Sequence, residues 1–171
     1  ARKALTVVGA RMVEELRGYP SLSLDLITPL KKSICCSRSF AGEVRTFAEL
    51  SESVISFLSN AAEKMRSQRL VTNAIQLFIE TNRFKEKGLY TNSATIKVSP
   101  TDSTRELIGY ALRILRAIFK PGFAYRKSGV VLLGLQPRSH ETQRLFDDER
   151  YLRDRGLMEA VDCVNHKHGR H

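Results

Sequence analysis

Nowhere does the sequence approach the roughly 18 consecutive apolar residues that a bilayer-spanning helix needs. Its opening, Ala1-Arg2-Lys3-Ala4, leads into a charged helical pattern and not into a signal sequence. A soluble, cytoplasmic protein with no membrane partner is therefore expected. Cysteine is scarce. The 3 present, Cys35, Cys36 and Cys163, form no C-x-x-C pair and leave one over, which argues against both a disulfide framework and a zinc ribbon. Cys35 and Cys36 are neighbours in an expected strand, so they point to opposite faces and read as small apolar residues. No G-x-S-x-G motif occurs, and His166, His168 and His171 crowd a tail that is a poor scaffold for a metal. Two-metal phosphoryl chemistry needs convergent carboxylates. The tightest acidic cluster, Asp147-Asp148-Glu149, has neither a strand nor a base beside it and reads as a solvated run. No catalytic residue and no metal site are expected.

What the chain has in surplus is positive charge. Over 171 residues the net charge is +10, the balance that draws a protein to a polyanion by releasing condensed counterions. The stretch from Thr101 to Leu135 holds Arg105, Arg113, Arg116, Lys120, Arg126 and Lys127 against Asp102 and Glu106, whereas the sequence after Gln136 is balanced. Basicity thus belongs to the folded part. Nucleic acid is the leading partner, and a merely basic soluble protein is the competing reading.

Apolar residues Leu5, Val8, Met12, Val13 and Leu16 recur at helical spacing before Gly18 and Pro20 stop the pattern. The first residue is not Met and the chain opens inside this helix, so a piece of a longer protein is expected. Residues 1–19 read as the last helix of a preceding domain, and 20–31 as a linker rich in Ser and Pro. Two similar units follow within 32–136. Lys32 to Phe40 alternates as a strand. Thr46-Phe47-Ala48-Glu49 is a capping box opening a long helix with the stripe Phe47, Leu50, Val54, Leu58, Ala61 and Met65, and Leu70 to Arg83 is a second strand. Thr91 to Ser99 is the clearest strand. Ser103-Thr104-Arg105-Glu106 opens a second helix that ends before Pro121-Gly122, and Phe123 to Leu135 is the last strand. The order βαββαβ predicts an α+β split sheet with both helices on one face and the other face free for a partner. Residues 137–156 read as a charged, flexible loop, and 157–171 as an extension in which Leu157, Val161 and Val164 mark a short closing helix.

Candidate nucleic-acid contacts follow from that layout. Ser37, Arg38 and Ser39 combine backbone amides, hydroxyls and a guanidinium in a strand, a composition suited to a phosphate. Arg126 and Lys127 offer the same on the last strand, and Thr91, Asn92, Ser93, Thr95 and Lys97 line the sheet rim or open face. Ordinary exposed strand residues are the alternative reading of each.

A family resemblance covers nearly the whole chain. Val7-Val8-Gly9-Ala10-Arg11 with Glu15-Leu16-Arg17-Gly18, Cys36-Ser37-Arg38-Ser39-Phe40, Ala61-Ala62-Glu63-Lys64-Met65-Arg66 and Tyr125-Arg126-Lys127-Ser128-Gly129-Val130 occur in order. Leu145-Phe146-Asp147-Asp148 and Leu157-Met158 through Asn165 to Gly169 complete the series. Together they resemble the C-terminal part of UmuC-type polymerases of the Y-family, the family of the DNA polymerase V catalytic subunit. The resemblance implies the end of a thumb domain followed by a little finger domain that holds DNA primer-template backbones without reading sequence, with Arg38 and Lys127 foremost among the contacts. It implies error-prone translesion synthesis in the SOS response to DNA damage, with Mg-binding palm acids upstream, so that this stretch alone is inactive. It also implies a UmuD-type accessory protein, a recombinase and a sliding clamp as partners. The family's clamp-binding peptide falls at Gln143, Leu145 and Phe146, although Thr142 stands where Gln is expected; a loop Leu-Phe pair packing on its own domain is the alternative. Two other classes compete. An RNA-binding βαββαβ module would stack bases on sheet aromatics, but none lies between Thr91 and Ser99. A protein-interaction adaptor would leave the basic sheet without a purpose.

Overall fold

The computed structural model describes residues 6–21, 31–82, 89–138 and 149–169. The chain divides into two compact units, Ala1–Leu30 and Lys31–His171. In the first, helix α1 spans Val7–Leu16. Gly18, at φ 86°, takes the left-handed conformation that ends it, and the Tyr19 N–H reaches back to the Glu14 carbonyl at 3.0 Å.

The second unit runs β1 (Ser33–Val44), α2 (Phe47–Arg66), β2 (Leu70–Thr81), β3 (Thr91–Thr101), α3 (Thr104–Ile118), β4 (Tyr125–Leu133), β5 (Gln136–Pro137) and α4 (Glu149–His168). The four long strands pair in the order β1-β4-β2-β3, every pairing antiparallel, and the short β5 pairs with the start of β2. This is the α+β arrangement expected from the βαββαβ order. Local chemistry explains its boundaries. Thr46 caps α2 by accepting from the Glu49 N–H at 3.3 Å while the Glu49 carboxylate takes the Thr46 N–H at 3.2 Å. Ser103 caps α3 by accepting from the Glu106 N–H at 3.4 Å. Arg69, at φ 54°, makes the tight exit from α2 into β2.

Both helices lie on one face of the sheet. Leu50, Val54, Leu58, Ala61 and Met65 of α2 and Leu107, Ala111, Ile114, Leu115 and Ile118 of α3 share one buried cluster with Ile34, Ile75, Leu77, Ile79, Val130 and Leu132. Burying a large aliphatic side chain is worth about 1.5–3 kcal/mol, and this cluster is what fixes which strand parity faces inward. Tyr125 closes one end of it. Fully buried, its hydroxyl accepts from the Lys120 N–H and donates to the Lys120 carbonyl, each at 2.9 Å, and its ring lies 5.8 Å from that of Phe119. Burial pushes the phenol pKa up, against an opposing effect of the Lys120 backbone.

α4 departs from the expected charged loop and short apolar closing helix. Residues 149–156 are already helical, and Leu157, Val161 and Val164 are exposed rather than packed. Charge holds the helix instead. Arg66, its side chain 8% exposed, donates from Nε and Nη2 to both carboxylate oxygens of Asp162 at 2.6 and 2.7 Å, and from Nη1 to Thr104 Oγ1 at 2.6 Å. Arg138 bridges the buried Asp102 and Glu159, and Arg105 lies 3.6 Å from Asp154. Among the described residues no helix is long and apolar enough to cross a membrane.

Candidate nucleic-acid interface

Side chains alternate along a strand, so the core parity defines what stands on the face the helices leave open. Cross-strand rows there follow from the register. Ser39, Lys127, Glu80 and Thr91 form one; Ser37, Gly129, Phe78 and Ser93 the next; then Cys35, Val131, Gln76 and Thr95; then Ser33, Leu133, Ala74 and Lys97. With about 4.8 Å between strands each row is roughly 14 Å wide. The face is mostly hydroxyls and short side chains, with a lysine towards each end and Glu80 beside one of them.

Its centre is built around a glycine. A Cβ at Gly129 would overlap the Phe78 ring and come within 2.5 Å of Ser37 Cβ, so only glycine lets the ring lie across β4 towards β1. The ring then supports the Lys127 ammonium, whose Nζ is 5.5 Å from the Phe78 centroid, a cation–π distance. This holds a long, rotamer-rich cation against the ring of the neighbouring row, near one end of the face.

Of the candidate contacts, Ser37, Ser39, Thr91, Ser93, Thr95, Lys97 and Lys127 come together here. Three others stand elsewhere. Arg38 shares the parity of Ile34 and Cys36 and faces α2 across a cleft. Asn92 turns inward, its Nδ2 donating to the Tyr90 hydroxyl at 2.8 Å. Arg126 Nη1 donates to the Ala41 carbonyl at 2.8 Å and ties down the irregular stretch of β1 between Ser39 and Val44. Gln143, Leu145 and Phe146 lie outside the described residues. Phe78 and Gly129 are not among the candidates that strand composition singles out; the one sign of them in the sequence is a glycine inside a strand, which signals close approach. The basic stretch is also split: Arg113 and Arg116 lie exposed on α3, on the side of the sheet opposite the open face. Among the described residues no three His, Cys, Asp or Glu side chains converge as a metal site would require.

A model of the impB/mucB/samB family C-terminal domain matches residues 31–145, the whole of the four-stranded sheet and both covering helices. The chain belongs to this family. Protein UmuC of Salmonella typhimurium is 36% identical over 172 residues, a match that takes in 99% of this chain and 41% of that protein. SamB of Salmonella typhimurium is 36% identical over 96% of the chain and 40% of its own length, and MucB of Escherichia coli 33% over 97% and 40%. The chain thus spans about two-fifths of the length of these curated relatives. Among solved structures, one described as an insertion ternary complex of Dbh DNA polymerase aligns with a TM-score of 0.49 at 14% identity, covering 76% of this chain and 36% of that one.

Proposed function

We propose that this impB/mucB/samB-family domain is the DNA-gripping little finger region of a translesion DNA polymerase. The observation that carries it is the open sheet face, with Lys127 propped on Phe78, Lys97 at the far end and serine and threonine hydroxyls between them. Such a surface offers hydroxyl and ammonium donors to phosphate oxygens, contacts that position a nucleic acid without reading its sequence, which suits a polymerase region that must hold any sequence. Membership of a family that includes UmuC supports the same reading. Two-metal nucleotidyl transfer, its Mg and the response to DNA damage belong to the longer protein.

The finer reading adds partners. Clamp tethering would run through Gln143, Leu145 and Phe146 and is supported by their sequence spacing; a UmuD-type accessory protein and a recombinase follow from the family resemblance and attach to no particular residue here.

The test is binding of the chain to primer-template DNA across a salt series. Log affinity should fall linearly with log salt, by about 0.9 for each phosphate neutralised, equally for unrelated sequences. Lys127→Ala and Lys97→Ala should weaken all sequences alike. A salt-independent affinity, or a strong preference for single-stranded RNA, would sink the reading.

A further inference from the structure

The outer strand of the sheet carries basic chemistry on its other side as well. Along β1 the inward parity begins with Ile34, buried in the core, and continues with the half-buried Cys36, whose Sγ lies 3.9 Å from Lys64 Nζ on α2. The next inward position is Arg38, where a core strand would carry another apolar residue. Opposite it α2 presents Ser56, Asn60 and Lys64 at intervals of four, a polar stripe beside the buried one. Between strand and helix lies a cleft of about 370 Å³, within the range of small-ligand sites.

The lining holds two cations and no carboxylate. Placing two positive groups along one cleft is unfavourable unless an anion joins them, and hydroxyl and amide donors beside them complete the coordination a tetrahedral oxyanion prefers. β1 ends the sheet on this side, so its outward backbone groups lie between the cleft and Ser37 and Ser39 of the open face. We propose that this cleft is a phosphate subsite in which Arg38 and Lys64 hold one backbone phosphate of the nucleic-acid strand that passes the sheet edge. The inference rests on the nucleic-acid reading of the open face and extends it: the edge strand grips from both sides, and Lys64, Asn60 and Ser56 join the contact set.

The experiment compares Arg38→Gln, Lys64→Gln and the double variant with Lys127→Gln in the full chain, reading duplex affinity against salt, with thermal unfolding as the check on folding. Each single cleft variant should weaken DNA binding several-fold at low salt and lower the log–log slope by about 0.9, the signature of one lost phosphate. The double variant should lower the slope no further than either single one, because both cations serve the same phosphate. Arg38→Lys should restore the slope. If the cleft variants bind like the unsubstituted chain while Lys127→Gln weakens binding, the open-face reading stands and the cleft proposal fails. If none of them changes binding, the nucleic-acid reading fails with it. A titration with inorganic phosphate, followed by NMR at the Arg38 and Lys64 side chains, covers the remaining source. Saturable binding there together with unchanged DNA affinity in the variants would make it a free-anion site and overturn the proposal.

Discussion

At the scale of single residues, Gly129 has the sharpest consequence. An alanine there forces the Phe78 ring away and presses on Ser37 of the neighbouring strand. Overpacking of this kind costs about 1–3 kcal/mol, and it also removes the support under Lys127. Gly129→Ala should therefore lower the denaturation midpoint and weaken DNA binding by more than Phe78→Leu, which loses the ring but creates no clash; equal effects would show that the close approach does not matter. Tyr125 gives a second test. Replacing it with Phe strands the Lys120 N–H and carbonyl and should cost roughly 1–3 kcal/mol. Because burial raises the folded-state pKa of this phenol, its contribution is complete below the ordinary tyrosine value of about 10 and is lost as pH rises through the higher folded value. Denaturation curves recorded above pH 10 should thus fall more steeply for the native chain than for Tyr125→Phe. These details also show where the sequence was legible. Hydroxyls and cations on predicted strands fall for the most part on the open face, but consecutive residues such as Ser37, Arg38 and Ser39 cannot share a face. Asn92 likewise has the inward parity of β3, and Arg126 lies where the register shifts opposite Ser39 and Val44.

At the scale of elements, the caps and the helices they open were readable because each is decided locally. Thr46 and Glu49 sit three residues apart and satisfy each other's backbone donors, and the carboxyl of Glu49 is held below its usual range first by the Thr46 side chain, then by the Thr46 and Arg45 backbone. Thr46→Ala should cost about 1 kcal/mol, measured by urea denaturation. A lowered carboxyl pKa contributes stability above the unfolded-state value and loses it as pH falls through the folded one, so the loss on acidification should be smaller in that variant. α4 was legible only in part. Its charged first half looked like loop because the partner it meets is remote in sequence: Asp154 lies 3.6 Å from Arg105, and further along the helix Asp162 meets Arg66 and Glu159 meets Arg138. Arg and Glu are good helix formers, and Arg155 and Glu159, one turn apart at 3.5 Å, add a pair within the helix. Removing the carboxylate with Asp162→Ala leaves the Arg66 guanidinium largely buried and short of its partner, a change that costs about 3 kcal/mol. Hydrogen exchange should show α4 losing protection before the sheet does; uniform loss across the domain would mean that α4 is part of the cooperative core.

At the scale of the whole molecule, the net charge of +10 does not by itself say where a polyanion lies. Cations stand on both sides of the sheet: Lys97 and Lys127 on the open face, Arg113 and Arg116 on the outer surface of α3. Screening separates them. A helix is about 10–12 Å across, so the outer side of α3 is more than one Debye length, about 8 Å at physiological ionic strength, from a strand bound on the open face. Reversing charge at Arg113 and Arg116 should therefore slow encounter at low salt but leave affinity at physiological salt nearly unchanged. Reversing Lys97 and Lys127 should collapse affinity at both and lower the slope of log affinity against log salt by roughly 0.9 for each lost phosphate contact. Fluorescence anisotropy with one labelled primer-template, read at both ionic strengths for the two double variants, makes the comparison within a single assay. Comparable losses from the two faces at physiological salt would mean that the charge acts diffusely and that the hydroxyl-rich sheet is not the docking surface.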